Sequence, residues 1–86
     1  MSRLGADAAQ LEQLSGQLAV NATVIDEIVA RATSLLEQAW WEGEDARIFR
    51  EQWATGASQL VRLTAALRDA SSLTARSAQQ QREASQ

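Results

Sequence analysis

The chain has 86 residues, 45% of them apolar, only 5% of them aromatic, and a formal net charge of −3, which allows one domain with a thin core. It holds no histidine and no cysteine, which excludes thiol nucleophiles and disulfides and removes the commonest metal ligands. Its eight basic residues are all arginine and are dispersed, unlike the clustered positive charge of a nucleic-acid binder.

Proline is absent and the four glycines fall at positions 5, 16, 43 and 56, so few points can interrupt a helix. The N-terminal residues Met1–Asp7 contain no apolar core of the length a secretory signal needs, and no segment approaches a membrane-spanning run; export would require another route.

From Leu4 the apolar residues recur at Leu11, Leu14, Leu18, Ile25, Ile28, Ala32, Leu35 and Ala39, in steps of three and four that predict a helix over about 4–40. Ala8, Ala22, Val29 and Leu36 form an adjacent column, making the stripe wide enough to touch two neighbours. Asn21 falls on the seam, where an unpaired buried amide costs roughly 1–3 kcal/mol. A polar partner across an interface, fixing register, is the expected remedy.

The pattern stops at Trp40-Trp41-Glu42-Gly43, where glycine can take the positive φ that ends helices. The turn is predicted at 41–44, with Asp45 as the N-cap of a second helix and one indole lying over that helix to cover the end of the bundle. The second seam reads Ala46, Phe49, Trp53, Gly56, Leu60, Leu63, Leu67 and Ala70, then fades through Thr74 and Ser77. It predicts a helix over about 45–78. Close helix approach, or room for an indole, would account for Gly56 on that seam. Residues 79–86 are nearly devoid of apolar side chains and read as a flexible tail. Glu27 with Arg31 and Glu51 with Arg47 have the spacing of helical ion pairs.

The expected fold class is therefore all-α: an antiparallel helix-turn-helix hairpin, one domain over 1–86. Internal pairing leaves the extra column of the first helix and Ile48, Val61 and Leu73 of the second uncovered, so two hairpins are expected to dimerise into a four-helix bundle.

Trp41-Glu42-Gly43, midway along the chain between two amphipathic helices and followed by Phe49 and Trp53, resembles the signature of the WXG100 family, the early secreted antigenic target-like proteins of type VII secretion. The resemblance covers nearly the whole chain. It implies a hairpin with Trp41 and Gly43 at its turn, paired with another WXG100-like subunit. It also implies recognition by the ATPase of the secretion machine, and passage from the cytoplasm to the outside or the cell surface without a cleavable signal peptide. The family's export signal, Tyr-Xaa-Xaa-Xaa-Asp/Glu near a C-terminus, has no counterpart here, because the chain has no tyrosine. Either a heterodimer whose other subunit carries that signal, the arrangement favoured on sequence, or a homodimer with a different cue follows.

The implied function is that of a secreted substrate or adaptor acting through protein–protein contacts, with no catalytic residue, cofactor or metal. Glu42, Glu44 and Asp45 are close enough for an acid–base pair, but turn carboxylates without a pocket are capping or solvated groups. Two rival readings are a membrane-active effector after export and a cytoplasmic helical dimerisation module. The outer faces carry charges of both signs and no basic lipid-facing stripe, which disfavours the first.

Overall fold

The computed structural model describes residues 5–85. Helix α1 spans Ala8–Gln38 and helix α2 spans Glu44–Ala84. They form an antiparallel hairpin whose Cα envelope measures 66 × 17 × 14 Å. The all-α hairpin expected from the periodicity is the observed fold.

Helix α1 begins one turn later than its apolar spacing suggests. The Asp7 side chain caps it, accepting a hydrogen bond from the Gln10 amide at 3.0 Å, and so satisfies one of the free amides of the first turn. Leu4, the first residue of the expected seam, lies outside the described residues. The helix closes at Ala39, whose backbone is extended. Gly43, at φ 110° and ψ −178°, is the N-cap of α2, so its positive φ starts the second helix instead of ending the first. This also corrects the expected N-cap: Asp45 sits with Glu44 in the first turn, where a carboxylate favours the helix dipole without capping.

Residues 79–84, expected to be a flexible tail, continue α2. The reason is tertiary. Ala78 is buried, Gln81 is half-buried, and the Arg82 guanidinium donates to both carboxylate oxygens of Glu12 at 2.7 and 2.8 Å. Helical Gln and Arg propensity then suffices without apolar content.

The two helices meet along columns that the sequence stripe only half identifies. On α1 the buried and half-buried positions include Ala8, Leu11, Ser15, Leu18, Ala22, Ile25, Val29, Ala32 and Leu36; on α2 they include Ala46, Trp53, Ala57, Leu60, Thr64, Leu67, Ser71, Thr74, Ala78 and Gln81. The α1 run alternates threes and fours throughout, and the α2 run does so from Trp53 onward. Leu11, Leu18, Ile25, Trp53, Leu60 and Leu67 are thus half-buried between the helices. Leu14, Ile28, Leu35, Phe49 and Leu63 are not: they are 46, 58, 61, 43 and 47% exposed. The column of small residues takes their place, because Ala22, Thr64 and Ala78, each at most 1% exposed, let the helix axes come close enough to exclude water.

Register is pinned by hydroxyls. Ser15 Oγ donates to the Ser71 carbonyl and Ser71 Oγ donates to the Ser15 carbonyl, both at 2.8 Å. The fully buried Thr64 satisfies its own hydroxyl by donating to the Leu60 carbonyl at 2.9 Å, so the tight seam contains no orphan polar group. The seam is chemically graded: Ser15, Ser71, Thr74 and Gln81 lie toward the open end, Ile25, Val29, Leu36 and Trp53 toward the turn.

One edge of the hairpin is closed by charge. Arg68 meets Asp26 at 2.7 Å and Arg82 meets Glu12 at 2.7 Å, two pairs spaced two heptads apart on both helices. The guanidinium of Arg82, hydrogen-bonded to Glu12, holds that carboxyl below the usual carboxylate range. A carboxylate with a lowered folded pKa stabilises above its unfolded pKa and loses that contribution as pH falls through the folded one. Thermal melts are expected to show a small destabilisation below the ordinary carboxylate range that Glu12→Gln reduces. An unchanged pH profile in that variant would mean the pair is solvated in solution. Along α2, Arg47 pairs with Glu44 and with Glu51. Glu27 and Arg31 do not form the expected ion pair among the described residues.

Candidate interaction surface

In both helices the ion-paired residues directly follow a seam position: Glu12 after Leu11, Asp26 after Ile25, Arg68 after Leu67 and Arg82 after Gln81. The columns that precede the other seam positions must therefore lie together on the opposite edge. On α1 that column is Leu14, Asn21, Ile28 and Leu35; on α2 it is Phe49, Gly56, Leu63 and Ala70. Val24, 44% exposed, and Leu73, 58% exposed, widen the strip. The result is a largely exposed apolar face in which Gly56 and Ala70 are half-buried, set against an edge that carries the ion pairs and also Val61, 56% exposed. Contiguous exposed apolar surface of this kind marks an interaction site.

Asn21, expected on a seam with a polar partner across an interface, belongs to this face and not to the hairpin's own seam. It is exposed and accepts a hydrogen bond from Gln17 Nε2 at 3.0 Å. Gly56 is likewise not a point of close helix approach: a Cβ placed there would meet nothing within 4 Å. The residues that do set close approach, Ser15, Ala22, Thr64, Ser71 and Ala78, are small and carry little hydropathy. Their signal was the seven-residue recurrence of small side chains on both strands of the seam.

At the turn the two tryptophans separate in role. Trp41 lies against Phe49, ring centroids 5.6 Å apart at 50°, a tilted packing favourable to aromatic pairs. Its carbonyl accepts from Arg50 Nη1 at 2.9 Å. Trp40 projects into solvent at 90% exposure. The indole covering the hairpin end is thus that of Trp41. Further in, Trp53 Nε1 donates to Thr33 Oγ1 at 2.9 Å across the helices. Trp53→Phe is expected to cost about 0.5–1.5 kcal/mol for the lost hydrogen bond, measured by chemical denaturation. A cycle with Thr33→Ala that shows no coupling would sink this assignment.

Glu44 is held by Arg47, whose hydrogen bond keeps its carboxyl below the usual range, and it is fully committed to that ion pair. An open groove of about 550 Å³ at the far end is lined by Asp7, Gln81, Arg82 and Ser85 among others. No group of three or more potential metal ligands occurs among the described residues, and no helix there is long and apolar enough to cross a membrane. Compared with protein-family models, curated proteins and solved structures, the chain finds no match.

Proposed function

We propose that this chain is a small exported substrate or adaptor of a type VII secretion system, working through protein–protein contacts as one subunit of a paired helical bundle. The single observation that carries the reading is the turn. Trp41-Glu42-Gly43 occupies the connection of a two-helix hairpin, with Gly43 at φ 110° and Trp41 packed on Phe49, the place where the WXG100 resemblance requires the motif. The exposed apolar face adds support, since a thin hairpin with this much exposed apolar surface is better explained as part of a larger bundle than as a finished fold.

In this reading the ATPase of the machine recognises the folded pair at the end where the Trp41 turn lies, and no chemistry is performed on a substrate. The protein resides in the cytoplasm before export and outside the cell or on its surface afterwards. The export cue is carried by a partner or takes a form other than the tyrosine motif.

The test is expression of the tagged chain in a bacterium with a functional type VII system and in its ATPase-deficient counterpart. The chain is expected in the culture filtrate of the first only, and Trp41→Ala is expected to reduce that fraction several-fold while the protein stays folded. Equal retention in both strains would overturn the proposal.

A further inference from the structure

Among the described residues no large apolar side chain is as exposed as Trp40, at 90%, and the backbone on either side of it is held. Before it, the Ala39 amide closes α1 on the carbonyls of Leu35 and Leu36. After it, Trp41 is clipped to α2 twice, its ring against Phe49 and its carbonyl accepting from Arg50 Nη1 at 2.9 Å. The motif tryptophan is therefore the clip, and its neighbour is the side chain on display. An indole presented in this way has given up backbone freedom before any partner arrives, which removes part of the ordering cost of binding.

The surroundings fix the charge of what could dock there. Residues 37 to 51 hold five acidic side chains and two basic ones, and both arginines are occupied: Arg47 by Glu44 and Glu51, Arg50 by the Trp41 carbonyl. Glu37, Glu42 and Asp45 are exposed and form no ion pair among the described residues. Asp45 has a use within the fold, since it lies in the first turn of α2, where a carboxylate suits the helix dipole. Glu37 has none. It lies in the last turn of α1, where the same dipole opposes it, and a residue that breaks a local rule points to a use outside the fold.

We infer that the hairpin tip is a docking site for a protein whose cleft carries arginine or lysine, with Trp40 as the anchor and Glu37 and Glu42 as its ionic rim. A cation in that cleft meets the face of the indole and the carboxylates together. Nucleic acid and an anionic membrane surface carry the charge that this tip repels, which leaves a basic protein surface. The inference rests on the reading that the turn end is the one recognised, and adds the anchor and the chemistry of its recogniser.

The test places the photo-crosslinking residue p-benzoylphenylalanine at position 40 of the full chain, in the bacterium with a functional type VII system, and identifies the cross-linked peptide by mass spectrometry. The expected adduct joins position 40 to an arginine- or lysine-bearing segment of another protein. Its yield is expected to fall several-fold when Glu37→Gln and Glu42→Gln are added. Trp40→Ala is expected to weaken affinity for the protein so identified by about 30-fold, the loss of one interface hot spot, and Trp40→Phe much less. Circular dichroism melts of these variants should not fall below the parent, because Trp40 stands in solvent. An adduct with a second copy of the chain, an adduct with a segment that has no basic residue, a yield indifferent to the two carboxamides, or no adduct at all would overturn the inference. The expected adduct in a chain that is never exported would overturn the proposed function and leave the docking site standing. Export that needs the ATPase but survives Trp40→Ala in full would do the reverse.

Discussion

Ala22→Leu is expected to lower the thermal midpoint by about 5–20 °C, the equivalent of about 1–3 kcal/mol of overpacking in a domain of this size. Ala22 is completely buried and lies one heptad on from Ser15, whose bonds to Ser71 fix its partner as Thr64, itself 1% exposed. Three added carbons have nowhere to go except by pushing the helices apart, which also strains the paired Ser15 and Ser71 bonds. The loss is a large part of the total, since domains retain roughly 0.05–0.15 kcal/mol per residue. Val20→Leu, on the same helix at a position 56% exposed, is the control and should leave the midpoint unchanged. Circular dichroism melts at one fixed protein concentration decide the matter. Equal midpoints for both variants would show that the helices do not approach closely at this layer.

The second large effect comes from one backbone position. Gly43 has φ 110° and ψ −178°, a region that residues with a Cβ avoid at a cost of about 1–3 kcal/mol. Gly43→Ala is expected to destabilise by that amount and to fray the first turn of α2, even though a Cβ there would meet nothing within 4 Å. Gly16→Ala should have the opposite sign. Gly16 also has open space around its would-be Cβ, but it lies within α1, where alanine is favoured by about 0.8–1.0 kcal/mol. Opposite shifts for two glycines in equally open surroundings isolate backbone conformation as the cause. Two shifts of the same sign would contradict the geometry of the turn.

The fold was legible because its main determinants are local. Absent proline, threes-and-fours spacing and a single break at Gly43 specify two helices and one turn. The partition of each wide stripe between the hairpin and the outside was not legible in the same way. Hydropathy ranks Leu14, Ile28, Leu35 and Leu63 above Ala22, Thr64, Ser71 and Ala78, yet the smaller set packs inside. Close approach rewards small side chains, a preference that no hydropathy period expresses. Asn21 was placed on the seam by its spacing from Leu18 and Ile25 and stands on the outer face. The end of α2 was misjudged for a related reason: residues 79–84 are helical through Arg82 and Ala78, contacts with α1 that a local reading cannot see. Of the turn, its place at Trp40–Gly43 was legible, while the division of labour between Trp40 and Trp41 depended on where Ala39 leaves the helix.

The graded seam has a mechanical consequence. The start of α1 and the end of α2 lie where Ser15, Ser71, Thr74 and Gln81 meet, and the bulky contacts of Ile25, Val29, Leu36 and Trp53 lie beyond them. Tension applied at either terminus therefore loads the layers one at a time, as in opening a zipper, and encounters the weakest rungs first. The same two helices drawn apart lengthwise would have to slide every layer at once. A hairpin of this design yields to a modest pull from its ends while its turn keeps its shape longest.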